Sequence, residues 1–177
     1  LTIAAPAAER PGAAFRDAHA ALAFAGGGDH EAMAKITSRL RKSAEEGNSF
    51  AREVVLPLVQ GIEAFANEDY TESVRLMEPV FPQLVRVGGS HAQREVFEDT
   101  MLEAYIRAEQ FEKAEDMLRG RLKQRESVRD TFWMGRVQSA QGQTTMAHSS
   151  FNRATKGWEA ADSNAPEIVA LNDLMGV

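Results

Sequence analysis

A chain of 177 residues, 44% hydrophobic and 26% charged, is composed like a folded globular protein, with length enough for about four or five stacked helical repeats. Its 26 acidic and 20 basic residues are mixed along the chain and leave a net charge of -6, which excludes the basic face that nucleic acid requires. The lack of cysteine excludes disulfides and thiolate chemistry without distinguishing a reducing from an oxidising compartment, and no apolar run nears the ~20 residues of a membrane span, so a soluble chain is expected, with the cytoplasm as the default compartment.

Leu1 to Gly12 are rich in alanine and proline without periodicity and read as a flexible lead-in. A secretory leader would need a basic start and a longer apolar stretch. A start at Leu1 rather than at methionine suits a piece of a longer chain. Thereafter apolar residues recur in steps of three and four, the spacing of one helical stripe, and alternating strand patterns are almost absent.

Phe15 to Phe24 and Ala32 to Leu40 form the first helix pair, joined by Gly26, Gly27, Gly28 and Asp29. Phe50, Val54, Leu58, Gly61, Ile62 and Phe65 mark the next helix, and Val74, Met77, Phe81 and Leu84 its partner. Phe97, Met101 and Tyr105 precede Phe111, Ala114, Met117, Leu118 and Leu122. The breaks at 66–69 and 107–110 are polar and too short for anything except tight helix-to-helix turns, so the helices pair antiparallel. Gly135, Gly142, Ala147, Phe151 and Ala154 belong to the last pair. Pro166 then opens a terminal helix over 164–177, with Ile168, Leu171, Leu174 and Met175 on one stripe, placed to cap the stack.

The fold expected is therefore all-α, with about eight to nine helices in stacked antiparallel pairs and a repeat domain over 13–163. From Tyr70 to Phe111 the step is 41 residues (111 − 70), and from Phe111 to Thr144 it is 33 (144 − 111). The shorter step, with small residues at Gly61 and Gly135 and aromatics at Tyr70, Tyr105, Phe111 and Phe151, resembles the tetratricopeptide repeat. That resemblance implies a right-handed α-solenoid.

Leu84 to Phe97, containing Gly88-Gly89-Ser90-His91-Ala92-Gln93-Arg94, is more specific. With the preceding Gly61 to Pro82 it is similar to the C-terminal part of the tetratricopeptide repeat protein 38 family. The resemblance implies the repeat fold over about residues 13–160, clearest between 56 and 125, and implies no particular reaction.

Ser90 and His91 are a nucleophile and a base by type, but adjacent side chains at a helix start diverge. Ser90 followed by Gln93 reads instead as a capping box, with Gly88 and Gly89 ending the element before it. His91, Arg94 and Glu95 are not required by capping, and a histidine and an arginine one turn apart are placed to hold an anion at the helix start. His19, His30, His91 and His148 lack the spacing of a metal motif, Gly26-Gly27-Gly28 lacks the rest of a phosphate loop, and no cofactor is implied. Glu98-Asp99 and Glu115-Asp116 read as solvated helix faces.

In a tetratricopeptide-like stack the first helix of each pair lines the concave face. The expected groove contains Leu58, Ile62 and Phe65, with Val55, then Asp99 and Glu103, with Arg107, then Arg129, Phe132 and Arg136. Phe65 and Phe132 would anchor a protein or peptide partner and the two arginines would meet its acidic groups. Alternatively, Arg129 and Arg136 pair with Asp99 and Glu103 as surface ion pairs. The function expected is an interaction scaffold without chemistry of its own. An anion-binding or enzymatic role around His91 and Arg94, and homo-oligomers formed through an uncapped end, are the other readings.

Overall fold

The computed structural model describes residues 13–175. The expected lead-in over 1–12 and the last two residues lie outside the described ones. Nine α-helices and no strand occur among the described residues. They are α1 (Ala14–Gly26), α2 (His30–Glu45), α3 (Leu56–Ala66), α4 (Tyr70–Met77), α5 (His91–Arg107), α6 (Phe111–Gln124), α7 (Val128–Ala140), α8 (Thr144–Gly157) and α9 (Pro166–Met175). The fold is all-α, and none of these helices is long and apolar enough to cross a membrane.

Two compact units share the chain, the first running to Ala108 and the second beginning at Glu109, so the repeat domain expected over 13–163 is divided between them. In the first unit α1 packs on α2 and α3, α3 on α4, and α4 on α5. Its fully buried side chains include Phe24, Ile36, Leu58, Ile62, Met77 and Phe97. In the second unit α7 packs on α6 and α8, and α9 on α8. Phe132, Ala147, Phe151, Ala154 and Leu171 form the core there.

The same turn recurs between successive helices. Gly28, Glu68, Glu109 and Gly142 all have positive φ, of 65°, 61°, 57° and 74°, each two residues before the next helix begins. The following N–H reaches five residues back, Asp29 to Phe24 O, Asp69 to Ala64 O and Gln143 to Gln138 O. This bond satisfies a carbonyl left orphaned at the helix end and turns the chain out of the helix. Asp29, Asp69 and Ser127 then cap α2, α4 and α7, each accepting from the backbone N–H three residues on. In the two tightest hairpins the small residue is required. A Cβ on Gly61 would run into the Met77 side chain, and one on Gly135 would lie 2.6 Å from Phe151 Cδ1.

Two segments depart from the regular α-helix that the periodicity predicts. Ala51–Val55 is a π turn leading into α3, with Leu56 N–H bonded to Ala51 O. Pro57 follows and has no N–H to give an α-type bond to residue 53, which accounts for the widened turn there. After α4, Glu78–Val87 is a 3-10 helix containing Pro79 and Pro82. Both prolines lack the donor an α-helix needs, and the tighter period buries Val80, Leu84 and Val87 while leaving Phe81 half-buried.

Candidate functional site

The Gly-Gly-Ser-His-Ala-Gln-Arg segment joins the 3-10 helix to α5. Gly88 and Gly89 have φ of 96° and 76°, a conformation costly for other residues. Gly89 also lies against the Phe15 ring of α1, where a Cβ would fall 2.7 Å from Phe15 Cδ2. Ser90 Oγ accepts from Gln93 N–H at 3.3 Å, and Gln93 Oε1 accepts from Ser90 N–H at 2.8 Å, which is the expected capping box.

The rest of the segment serves the same junction. Arg94 Nη1 donates to the carbonyls of Gly88 and Gly89. Its charge thus closes the turn behind it. The carbonyl of Gln93 lies 3.2 Å from His19 Nε2, while His19 Nδ1 lies 2.8 Å from Phe15 O. The imidazole packs between Phe15 and Phe97, with centroids 4.1 Å and 4.9 Å away. Ser90 and His91 are both exposed and Glu95 is half-buried. With Arg94 turned back on the glycine carbonyls, the arrangement fastens α1 to the start of α5. His19, unassigned from the sequence, is its central side chain. The one local hint was the spacing of Phe15 and His19, one turn apart on α1.

The groove residues separate into two groups. Leu58, Ile62 and Phe132 are 0%, 1% and 2% exposed, so they are core residues and offer no surface to a partner. This corrects the expectation that they line the groove. Their apolar faces meet the facing helices of the same unit, the arrangement that removes most apolar area from water. Phe65 is half-buried and packs edge-on against Tyr70 at 5.5 Å. Asp99 and Glu103 are half-buried on α5, and Glu103 Oε1 accepts from Arg107 Nε at 2.8 Å. That bond raises the Arg107 pKa. The Arg107 guanidinium also lies 5.9 Å from the Tyr70 ring centre.

On α7 the accessible stripe keeps Arg129 and Arg136 as expected, with Trp133 in the place expected of Phe132. Arg129 is exposed, and Trp133 and Arg136 are half-buried, at spacings of four and three. The Arg136 guanidinium sits 4.3 Å from the Trp133 ring centre, within cation–π range. Trp133 meets the Phe132 ring edge-on at 6.2 Å and makes no hydrogen bond to a described residue. Apolar counting alone misses it, since Phe132 and Trp133 are adjacent and either suits the core.

Two further polar contacts serve structure. Tyr105 donates its hydroxyl to Glu78 Oε1 at 3.0 Å, and burial followed by that bond and the carboxylate's charge pushes the phenol pKa well above its usual value. Asp130, 3% exposed, accepts from Arg121 Nη1 at 3.3 Å, and its second carboxylate oxygen has no hydrogen-bond partner. Among the described residues no three His, Asp or Glu side chains gather as a metal site would require. No protein-family model matches the sequence, and no solved structure matches it.

Proposed function

We propose that this chain is a helical-repeat interaction module, binding a protein or peptide partner and carrying no chemistry of its own. The observation that carries this reading is the Arg129, Trp133 and Arg136 stripe on α7. Trp and Arg are the side chains most enriched among residues that dominate binding energy, because each joins a large contact area to a polar handle. Trp133 brings a half-buried ring and an indole N–H with no acceptor among the described residues. Such a stripe suits a partner with an apolar or aromatic residue flanked by acids. The repeated positive-φ turns and the close approaches at Gly61 and Gly135 support a tetratricopeptide-like reading, and the proposed kinship to the tetratricopeptide repeat protein 38 family rests on the sequence of Leu84 to Phe97 with the preceding Gly61 to Pro82.

The test is affinity capture from source lysate with the parent chain, Trp133→Ala, Arg136→Glu and a Lys123→Gln control, read by mass spectrometry. Melting curves would first show that all four are folded. The expected result is a protein retained by the parent and the control, and lost by both α7 variants. Calorimetry with the purified partner should then show a loss of at least about 2 kcal/mol for Trp133→Ala. Equal retention by all four chains would remove the stripe from the function.

A further inference from the structure

The second unit holds an open cleft of about 550 Å³, between the end of α6, the loop before α7, and α8. Leu122 and Val128 give it apolar walls, Ser127 and Thr131 contribute hydroxyls, and Glu126 and Arg153 supply one charge of each sign. Glu126 and Arg153 are both exposed and form no ion pair or hydrogen bond with each other or with any described residue. Two opposite charges on one cleft, held apart, are an arrangement that a ligand carrying both charges completes.

The walls are fixed by contacts within the same unit. Gly157 of α8 lies against Val128, where a Cβ would fall 2.8 Å from Val128 Cγ1, so the end of α8 is pressed to the start of α7. The Thr131 hydroxyl donates to Ser127 O at 2.8 Å. Ser127 Oγ accepts from Asp130 N–H at 3.1 Å and keeps its own hydrogen to donate. A site built this way loses little ordering entropy when a ligand enters.

We propose that the cleft binds a short peptide with free termini and aliphatic side chains. Arg153 and the Ser127 hydroxyl hold its carboxylate, Glu126 holds its ammonium group, and Leu122 and Val128 receive its side chains. The alternatives each leave a charge opposed or desolvated. A simple anion meets Glu126, a simple cation meets Arg153, and a wholly apolar ligand strips water from both. The volume falls within the ~300 to 1,000 Å³ of small-ligand sites.

The experiment is calorimetric titration of the full chain with the dipeptide Leu-Leu, its N-acetyl and amide-blocked forms, and free leucine. The variants are Arg153→Gln and Glu126→Gln, both at exposed positions where the fold is insensitive. Leu-Leu should bind with a Kd of about 1 mM or tighter. Blocking either end should weaken it about fivefold, the upper range for a solvent-screened charge contact. Arg153→Gln should abolish the difference between Leu-Leu and its amide, and Glu126→Gln the difference between Leu-Leu and its N-acetyl form. No binding of Leu-Leu, unchanged affinity in both variants, or leucine binding as tightly as the dipeptide would each overturn the proposal. Because the α7 stripe is not altered, these outcomes are independent of the capture experiment.

Discussion

Gly89 lies so close to the Phe15 ring that a single added methyl group would fall 2.7 Å from Cδ2, while its own φ of 76° already disfavours a side chain. Gly89→Ala therefore meets backbone strain and a clash together, and should destabilise the first unit by about 2 kcal/mol. Urea denaturation would measure it. In a double-mutant cycle with Phe15→Ala, the clash should appear as about 1 kcal/mol of coupling, leaving the strain uncancelled. Additive effects would show that the ring is not what requires glycine.

Gly135 and Gly120 provide an internal comparison in the second unit. Both are helical, and alanine at either gains about 1 kcal/mol of helix propensity. Nothing lies within 4 Å of a Cβ at Gly120, whereas at Gly135 it would meet the buried Phe151 ring. Gly120→Ala should raise the melting temperature. Gly135→Ala should lower it, since overpacking of about 1 to 3 kcal/mol outweighs the propensity gain. A stabilising Gly135→Ala would show that the α7 and α8 contact is looser than these distances require.

Tyr105 links the first unit to alkaline pH. Its phenol holds a proton more tightly in the folded chain than the ordinary value near 10, because it is buried and bonded to Glu78. Unfolding above about pH 10 then releases a proton, so the stabilisation is complete below that value and is lost as pH rises toward the folded pKa. Urea midpoints at pH 8 and above pH 10 should fall more steeply for the parent than for Tyr105→Phe. Parallel profiles would mean that the phenol does not carry the effect.

The Arg121 and Asp130 pair is 11% and 5% exposed at its side chains. Arg121→Leu would leave the buried carboxylate without its cation and should cost about 3 kcal/mol. Arg121→Leu/Asp130→Leu should recover most of that loss, because the cost is chiefly that of an unpaired buried charge. A double variant no more stable than the single one would place the loss in Arg121's other contacts.

Within the regular helices, much of the fold was legible because its causes are local. Ser90 names the start of α5, since its side chain caps a backbone N–H three residues away, and Asp29, Asp69 and Ser127 cap α2, α4 and α7 in the same way in the structure. Glu68 and Glu109 were legible only as polar breaks, because their left-handed backbone is adopted without the glycine that ordinarily signals it. The 3-10 run after α4 was hidden by apolar spacing that suits an α-helix, although Pro79 and Pro82 already lacked the donors for one.

The candidate surface was less legible, because exposure depends on all neighbours at once. The register of a tetratricopeptide-like stack placed Phe132 outward, and packing against α8 turned it in and left Trp133 beside Arg136, a difference of one residue, or about 100° around the helix. Arg94 read as a free cation until the turn carbonyls behind it were in place. His19 had no assigned role until Gln93, 74 residues away in sequence, came within reach of its ring.

The sequence by itself determined that the chain is helical, where most helices begin and end, and that Ser90 and Gln93 form a capping box. These depend on periodicity and on bonds spanning a few residues. The tertiary structure alone decided that Trp133 rather than Phe132 is accessible on α7, that the glycine-rich segment fastens α1 to α5, and that Glu126 and Arg153 line one cleft. Each of those rests on groups brought together from different elements, a juxtaposition that local spacing does not encode.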